Sequence, residues 1–167
     1  QTESTDCIFQ AHAATHPQYY ESEDGVPYND VAALRVDDVN MTLCALRPST
    51  VSTYATLPSS PAPARLSVMG WGDPSLDDAL KYATLTDVGD DACISAYGDR
   101  YVGEDSLCYF SPHADSCRGD SGGPLIDLET LEIHGIVSYG TTSCSDYPGV
   151  YVKVSRYLSL IHISEPT

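Results

Sequence analysis

The ten residues 115–124, Asp-Ser-Cys-Arg-Gly-Asp-Ser-Gly-Gly-Pro, limit the fold of this chain more than any other segment. Three glycines lie within two residues of Ser121, and they let the backbone turn sharply at that serine. A serine on a sharp turn exposes its hydroxyl, and the N–H groups beside it are not taken up by regular structure. Pro124 favours entry into a strand, because proline cannot lie inside a helix. The segment therefore predicts an exposed serine loop that leads into a strand.

Two shorter motifs overlap this loop. Residues 119–123 fit Gly-x-Ser-x-Gly, the nucleophile elbow of α/β-hydrolases, but that fold needs a helix directly after the serine. Pro124 and the strand pattern of the chain disfavour it. Residues 118–120 spell Arg-Gly-Asp, an adhesion tripeptide that is often found by chance. We interpret the three residues of this tripeptide as parts of the serine loop.

The whole chain predicts an all-β fold. Short runs rich in β-branched and aromatic residues alternate with clusters of turn residues. Residues 57–63, Leu-Pro-Ser-Ser-Pro-Ala-Pro, predict a connector because this composition excludes regular structure. One short helix is expected near 90–96, with Asp90 or Asp91 as its N-cap. The predicted strands are 8–13, 31–36, 65–70, 80–85, 106–110, 124–127, 132–138 and 149–154.

Charge and cysteine content narrow the classes of function. The formal net charge of −16 argues against nucleic acid, which binds basic surfaces. The same charge could attract cationic substrates, although solubility alone is the preferred interpretation. No apolar run is long enough to span a bilayer, so no membrane partner is expected.

Six cysteines without a C-x-x-C pair favour disulfides over a metal site. The sequon at Asn40 is consistent with secretion or with an unmodified turn.

Several motifs resemble those of one enzyme family. The 115–124 loop is similar to the nucleophile loop of trypsin-like (chymotrypsin-family) serine proteases. The sequence Tyr-Asn-Asp-Val-Ala-Ala-Leu at 28–34 resembles the segment that carries the family's catalytic aspartate. The family's G-W-G, I-V-S-W-G and P-G-V-Y motifs have counterparts at 70–72, 136–140 and 148–151, with Tyr139 in place of tryptophan.

The resemblance implies two six-stranded antiparallel Greek-key barrels of the trypsin type, the first of them incomplete. Residues 1–56 would be the remnant of the first barrel, 57–64 the connector and 65–157 the second barrel. Residues 158–167 resemble a translated sequencing adapter. We exclude them from the fold as an expected non-native tail, so the C-terminal helix of the family would be lost after Tyr157.

The resemblance also assigns the catalytic roles. Ser121 would be the nucleophile, and Asp30 would orient the histidine that serves as its base. The N–H groups of Gly119 and Ser121 would form the oxyanion hole, and Asp120 would pair with an activating N-terminal amine. Two disulfides are implied, Cys93–Cys108 and Cys117–Cys144. Cys7 and Cys44 remain, to pair with each other or with cysteines outside the chain.

A substrate pocket follows from the same resemblance. Asp115, six residues before Ser121, would lie at the pocket base and select Arg or Lys, because a buried carboxylate needs a cationic partner. Ser138 would hydrogen-bond Asp30. Tyr139 and Gly140 would line the cleft, with Gly140 and Gly149 forming the pocket walls.

The family's histidine base has no counterpart among the five histidines. His12 and His16 stand too close to Asp30 in sequence, His113 and His134 follow it in unrelated contexts, and His162 lies in the excluded tail. The chain is therefore expected to be inactive by itself, although its family consists of enzymes.

The function implied is that of a serine endopeptidase, which cleaves after Arg or Lys through a Ser-His-Asp triad and an acyl-enzyme. The alternative is an inactive homologue that acts as a binding or inhibitor protein; intact Asp30, Asp115, Asp120 and Ser121 argue against it. Protein or peptide substrates and protein protease inhibitors are the expected partners. A secreted, extracellular, monomeric protein made as a zymogen is expected, without cofactor or metal.

Overall fold

A computed structural model describes residues 11–36, 54–72, 79–141, 143–144 and 146–163. Within these ranges the chain forms strands and two short helices in the order β1 Ala11–Thr15, β2 Tyr20–Glu21, β3 Pro27–Tyr28, β4 Ala32–Val36, β5 Arg65–Gly70, β6 Lys81–Asp87, α1 Asp90–Tyr97, β7 Ser106–Phe110, β8 Pro124–Ile126, β9 Ile133–Tyr139, β10 Gly149–Lys153 and α2 Leu158–Ile163. The all-β prediction is confirmed. The predicted strands all have counterparts here, except that residues 8–10 of the first lie outside the described ranges.

Strands β5 to β10 form a closed barrel in the order β5-β6-β7-β10-β9-β8, with β8 returning to β5. Each neighbouring pair is antiparallel; Arg65 lies opposite Thr86, for example, and Gly70 opposite Lys81. Because β8 lies beside β5 after the consecutive β5-β6-β7, these strands form a Greek key. Closure leaves no free sheet edge in this half of the chain.

The barrel is filled by side chains from all six strands. Two tyrosines occupy its centre, Tyr109 and Tyr151, both fully buried and packed edge to face with ring centroids 6.3 Å apart. The Tyr109 hydroxyl donates to the Pro63 carbonyl in the connector. A buried phenol needs such an acceptor, so this bond seats the connector against the barrel. The other core members are Leu66, Val68, Leu85, Leu107, Leu125 and Val137.

The connector has no strand or helix in residues 57–64, as predicted. It is tied to the barrel by Glu132, whose carboxylate accepts from the Ser59 N–H at 3.1 Å and the Ser59 hydroxyl at 2.5 Å. These bonds lower the pKa of Glu132. His134, buried beneath, places Nε2 3.4 Å from the other Glu132 oxygen.

The first half of the described chain is made of two small sheets. Strand β1 pairs with β4, and β2 pairs with β3, both antiparallel. Among the described residues these sheets do not close. The expectation of an incomplete first barrel stays a prediction. The two-residue strands β2 and β3 were not predicted.

The predicted helix is present, but its predicted cap is wrong. Gly89, with φ 75°, is the N-cap residue, and no side chain caps the helix. Asp90 lies inside the first turn, and its carboxylate accepts from the Tyr101 hydroxyl at 2.5 Å. The tertiary hydrogen bond has drawn the carboxylate away from the helix N–H groups. Asp90 and Asp91 still suit the positive end of the helix dipole.

Helix α2 differs from the sequence expectation, which excluded residues 158–167 and placed the loss of the C-terminal helix after Tyr157. Residues 158–163 are helical, and Leu160 is buried. The Leu160 N–H donates to the Tyr157 carbonyl at 3.0 Å, so the helix continues the turn at Tyr157. Apolar side chains at 158 and 160 supply the burial that the sequence analysis disregarded.

The core position Leu85 provides a test of the barrel. Replacing Leu85, which is fully buried, with alanine should lower the free energy of unfolding by about 2–5 kcal/mol, because a cavity remains in the core. Leu80→Ala is the matched control, since Leu80 is 55% exposed and its loss should change stability by less than about 0.5 kcal/mol. Urea titration measures both. Equal shifts in the two midpoints would contradict this barrel.

Candidate active site

The serine loop connects β7 to β8 and turns at glycines. Gly119 has φ 94° and Gly122 φ 82°, values that side chains with a Cβ rarely adopt. The Gly122 N–H donates to the Val137 carbonyl at 2.8 Å, and the Val137 N–H donates to the Gly123 carbonyl at 2.9 Å. These two bonds fix the loop to β9, while the Ser121 side chain is left exposed.

Two backbone N–H groups of the serine loop, those of Gly119 and Ser121, stand out in the described structure. Neither the Gly119 N–H nor the Ser121 N–H makes a hydrogen bond within the described ranges. Adjacent N–H groups in this state can stabilise a negatively charged oxygen.

A pocket of about 200 Å³ opens beside Ser121. Asp115, Gly140 and Gly149 line it, together with Ser138 and Tyr139. The sequence-predicted pocket residues are thus brought together around one cavity. A Cβ at Gly140 would meet open space, whereas one at Gly149 would lie 2.8 Å from the Tyr151 hydroxyl. Glycine at 149 is therefore required by the tyrosine behind it.

The Asp115 carboxylate is half-buried and hydrogen-bonded. It accepts from the Ser116 N–H at 2.7 Å and from the Tyr151 hydroxyl at 3.2 Å. Burial raises the pKa of Asp115 to about 6, and the hydrogen bonds from Ser116 and Tyr151 oppose that rise. Burial also raises the pKa of the Tyr151 phenol, so it donates its proton to this cluster. No described side chain forms an ion pair with the Asp115 carboxylate, although Arg118 lines the same pocket.

Asp30 lies at the junction of the two halves. The Ser138 hydroxyl donates to Asp30 Oδ2 at 2.7 Å, as the sequence analysis expected. Asn29, which has φ 52°, is held by two hydrogen bonds. The Tyr157 hydroxyl donates to Asn29 Oδ1 at 3.1 Å, and the Asn29 side-chain N–H donates to the Gln18 carbonyl at 3.0 Å. These contacts position Asp30 beside β9.

A cavity of about 370 Å³ separates Asp30 from the serine loop. Both Asp30 and Gly122, the neighbour of Ser121, line it, and none of the lining residues that the structure describes is a histidine. His16 instead packs edge to face on Tyr157, with ring centroids 5.3 Å apart, and buried His134 faces Glu132. His12 and His113 are exposed on β1 and on a loop. The side chain of His162 lies outside the described residues.

Asp120 turns inward. Its carboxylate accepts from the Gly72 N–H at 2.8 Å and the Cys117 N–H at 2.9 Å. A Cβ at Gly70 would lie 2.0 Å from Asp120 Oδ1, so the G-W-G motif supplies the space for this carboxylate. The Arg-Gly-Asp tripeptide therefore does not present its carboxylate to a partner.

Both expected disulfides in the described ranges are present, Cys93–Cys108 and Cys117–Cys144. The second joins the serine loop to the loop that follows β9, and both of its cysteines line the pocket. The expectation for Cys7 and Cys44 lies outside the described residues.

The described ranges contain neither a metal-binding cluster nor a membrane-spanning helix. No group of three or more His, Cys, Asp or Glu side chains is arranged there to hold a metal ion. None of the described helices has the length and apolar character needed to cross a membrane.

Sequence reasoning missed the support behind the pocket. Ser116 and Tyr151 form a hydrogen-bonded group with Asp115, with 3.1 Å between the two hydroxyl oxygens. The sequence signal that could have predicted this support is the two-residue period of β10, which places Gly149 and Tyr151 on one face of the strand. Asn29 was also missed; an asparagine directly before Asp30 is a residue type that tolerates positive φ.

The closed Greek-key barrel and its glycine-rich serine loop place the chain in the class of trypsin-type β-barrel proteins. A family model described as Trypsin matches residues 2–161. The chain belongs to the trypsin family of serine proteases.

Individual relatives agree with this assignment. Trypsin iota of Drosophila melanogaster is 37% identical over 133 residues, covering 75% of this chain and 50% of the relative. Kallikrein-8 of Homo sapiens is 31% identical over 153 residues, covering 87% of this chain and 56% of the relative. Trypsin alpha-3 of Lucilia cuprina is 33% identical over 142 residues, covering 80% of this chain and 81% of the relative. The chain thus spans about half the length of the first two relatives.

A solved structure titled "Structure of GrC" superimposes with a TM-score of 0.72 at 27% identity, covering 92% of this chain and 66% of that one. The likeness extends over both halves of the described fold.

The inward position of Asp120 generates a prediction. Asp120→Ala removes the acceptor for two backbone N–H groups, and charge-assisted bonds of this kind contribute about 1.5–3 kcal/mol each. Amide hydrogen exchange at Gly72 and Cys117 should accelerate by about tenfold or more. Asp91→Ala, which removes an exposed carboxylate from α1, should leave both amides unchanged. Unchanged exchange at Gly72 and Cys117 in Asp120→Ala would show that the carboxylate does not hold the loop.

Proposed function

We propose that this chain carries the nucleophile and specificity pocket of a serine endopeptidase that hydrolyses peptide bonds after Arg or Lys. The observation that supports it best is the exposed Ser121 at the mouth of a pocket containing the half-buried Asp115 carboxylate. The proposed unit comprises a first-barrel part at 1–56, a connector at 57–64 and a second barrel at 65–157. Residues 158–167 are still proposed to be a non-native tail on the strength of their sequence, because the helix at 158–163 does not test their origin.

The chemistry proposed is acyl transfer. The Ser121 oxygen attacks the scissile carbonyl and its proton passes to a histidine base. The tetrahedral intermediate then expels the amine, which takes that proton from the histidine, and water hydrolyses the acyl-enzyme that remains. The N–H groups of Gly119 and Ser121 stabilise the developing oxyanion. Asp30, fixed by Ser138, orients the histidine and stabilises its charged form. The 370 Å³ cavity between Asp30 and the loop has room for an imidazole.

The pocket favours a cationic side chain for electrostatic reasons. Asp115 is costly to ionise in this partly buried site, as its raised pKa indicates. A guanidinium or ammonium group entering between Gly140 and Gly149 recovers that cost by pairing with the carboxylate. Substrates with Arg or Lys before the scissile bond are therefore the proposed partners, and Tyr139 lines the cleft beside them.

The pocket can be tested with benzamidine, a planar amidinium cation that stays charged from pH 5 to pH 7. Protonation of Asp115, with a pKa of about 6, removes the carboxylate charge as the pH falls. The affinity for benzamidine, measured by calorimetry, should therefore fall about tenfold from pH 7 to pH 5. Asp115→Asn should abolish benzamidine binding at both pH values.

The matched control is Asp99→Asn, which removes an exposed carboxylate outside the pocket and should leave binding unchanged. Equal affinity at pH 5 and pH 7, or binding that survives Asp115→Asn, would contradict the pocket.

The isolated 1–167 chain is proposed to be inactive, because within the described ranges no histidine lines the cavity beside Asp30. A fluorophosphonate probe, which labels only activated serines, should not label Ser121 in this chain. A relative with the complete triad provides the positive control, and Ser121→Ala provides the blank. Labelling at Ser121 as fast as in the control would overturn this proposal.

The second candidate function is an inactive homologue that binds or inhibits other proteins, and the absence of a histidine beside Asp30 among the described residues favours it. The retained pocket and Asp120 contacts favour the enzyme.

For that enzyme we propose zymogen activation through an amine that pairs with Asp120, and a secreted, extracellular, monomeric state. Protein protease inhibitors are proposed as further partners.

A further inference from the structure

Two tyrosines on the hairpin that precedes Asp30 are stacked on each other. Strands β2 and β3 are antiparallel, and Tyr20 lies directly opposite Tyr28. Their ring centroids are 4.7 Å apart, and the two ring planes differ in angle by 1°. Side chains directly opposite each other in an antiparallel pair share one face, so the stack follows from the register of the strands. Neither ring takes part in the proposed reaction, so this pair is independent of the proposed function.

The hairpin holds the two rings together from both ends. On the turn side, the Ser22 N–H donates to the Val26 carbonyl at 2.9 Å, and the Val26 N–H donates to the Ser22 hydroxyl at 3.1 Å. Val26 is also buried, which anchors the turn. On the other side, the Asn29 side-chain N–H donates to the Gln18 carbonyl at 3.0 Å. The stacked pair therefore lies between two sets of hydrogen bonds that fix its register.

The stacked pair is accessible to solvent. Tyr20 is 54% exposed, and Tyr28 is partly exposed. Two other tyrosine pairs in the described ranges pack edge to face, Tyr97 with Tyr139 and Tyr109 with Tyr151. The second of these is buried inside the barrel. Among the described residues, parallel packing and access to solvent are thus combined only in the hairpin pair.

Two phenols held in this way are suited to oxidative coupling. A haem peroxidase activated by hydrogen peroxide removes one electron and the hydroxyl proton from each phenol. The two radicals then form a carbon–carbon bond between the ring carbons next to the oxygens, and the hydrogens on those carbons move to the oxygens and restore both phenols. Two tyrosines and one hydrogen peroxide therefore give one dityrosine and two waters.

We propose that Tyr20 and Tyr28 are an oxidative modification site, which a haem peroxidase and hydrogen peroxide convert into an intramolecular dityrosine. Groups held side by side in one chain react at a high effective concentration, so coupling within the hairpin outpaces coupling between chains in dilute solution. The product joins β2 to β3 by a covalent bond, directly before Asn29 and Asp30.

The test treats the 1–167 chain, at low micromolar concentration, with a haem peroxidase and hydrogen peroxide. The monomer fraction should gain dityrosine fluorescence and lose the mass of two hydrogen atoms. Proteolysis after Glu21 and Glu23 cuts the chain between Tyr20 and Tyr28, so peptide mapping should find the two fragments still joined at these tyrosines. The yield of joined fragments should not change when the chain is diluted, because the reaction is intramolecular.

Variants identify the coupled residues. Tyr20→Phe should abolish the joined fragments, because phenylalanine keeps an aromatic ring but has no hydroxyl to oxidise. Tyr19→Phe is the matched control and should keep them. Tyr19 is 48% exposed and directly precedes Tyr20, but it stacks on no other tyrosine in the described ranges.

Several outcomes would overturn the proposal. Dityrosine found only in covalent dimers would show that the coupling occurs between chains. Joined fragments that persist in Tyr20→Phe would assign the cross-link to another tyrosine. A bond from Tyr28 to Tyr139, which lines the same small cavity, would do the same. No dityrosine in the chain, under conditions that couple free N-acetyltyrosine, would show that the hairpin pair does not react.

Discussion

The Tyr151 side chain joins the barrel core to the candidate pocket, and most of the site depends on it. Its ring is fully buried against Tyr109, while its hydroxyl lies 3.2 Å from Asp115 Oδ1. Its position also excludes any side chain from Gly149. The pocket carboxylate is thus placed by the same residue that fills the core, so that packing and specificity cannot vary independently. Rigid support of this kind is what a recognition site requires, because a displaced carboxylate would lose its partner.

The serine loop depends on the barrel in a similar way. Three separate elements hold it: β9 through the Gly122 and Gly123 backbone bonds, the end of β5 through Asp120, and the loop after β9 through Cys117. None of these contacts is close in sequence, so the loop can take its shape only when the barrel has closed. The N–H groups beside Ser121 are therefore held in place by the closed barrel, which is the preorganisation that the proposed oxyanion hole would need.

The second barrel could be predicted well from the sequence, because its strands combine β-branched patterning with clear turn residues. Strand β5 was predicted with its observed bounds, whereas β2 and β3 are too short to produce a pattern. The capping of α1 was mispredicted because Asp90 bonds to Tyr101, a contact that local reasoning does not contain. Likewise the Asp30–Ser138 bond joins residues 108 apart; only the family resemblance indicated it. The Tyr151 contact with Asp115 needed the structure.

The site is divided between the two halves of the chain. The second barrel contributes Ser121 and Asp115, and the first half contributes Asp30, which reaches β9 through Ser138. A serine hydroxyl is a weak nucleophile unless a base accepts its proton, so neither half is sufficient for acyl transfer. Asp30 acts on Ser121 only through whatever occupies the cavity between them. We propose that with an imidazole there the same geometry supports hydrolysis, and that without one it retains the Asp115 pocket for a cationic side chain. The proposed enzyme and the proposed binding protein therefore differ in one side chain, the base beside Asp30.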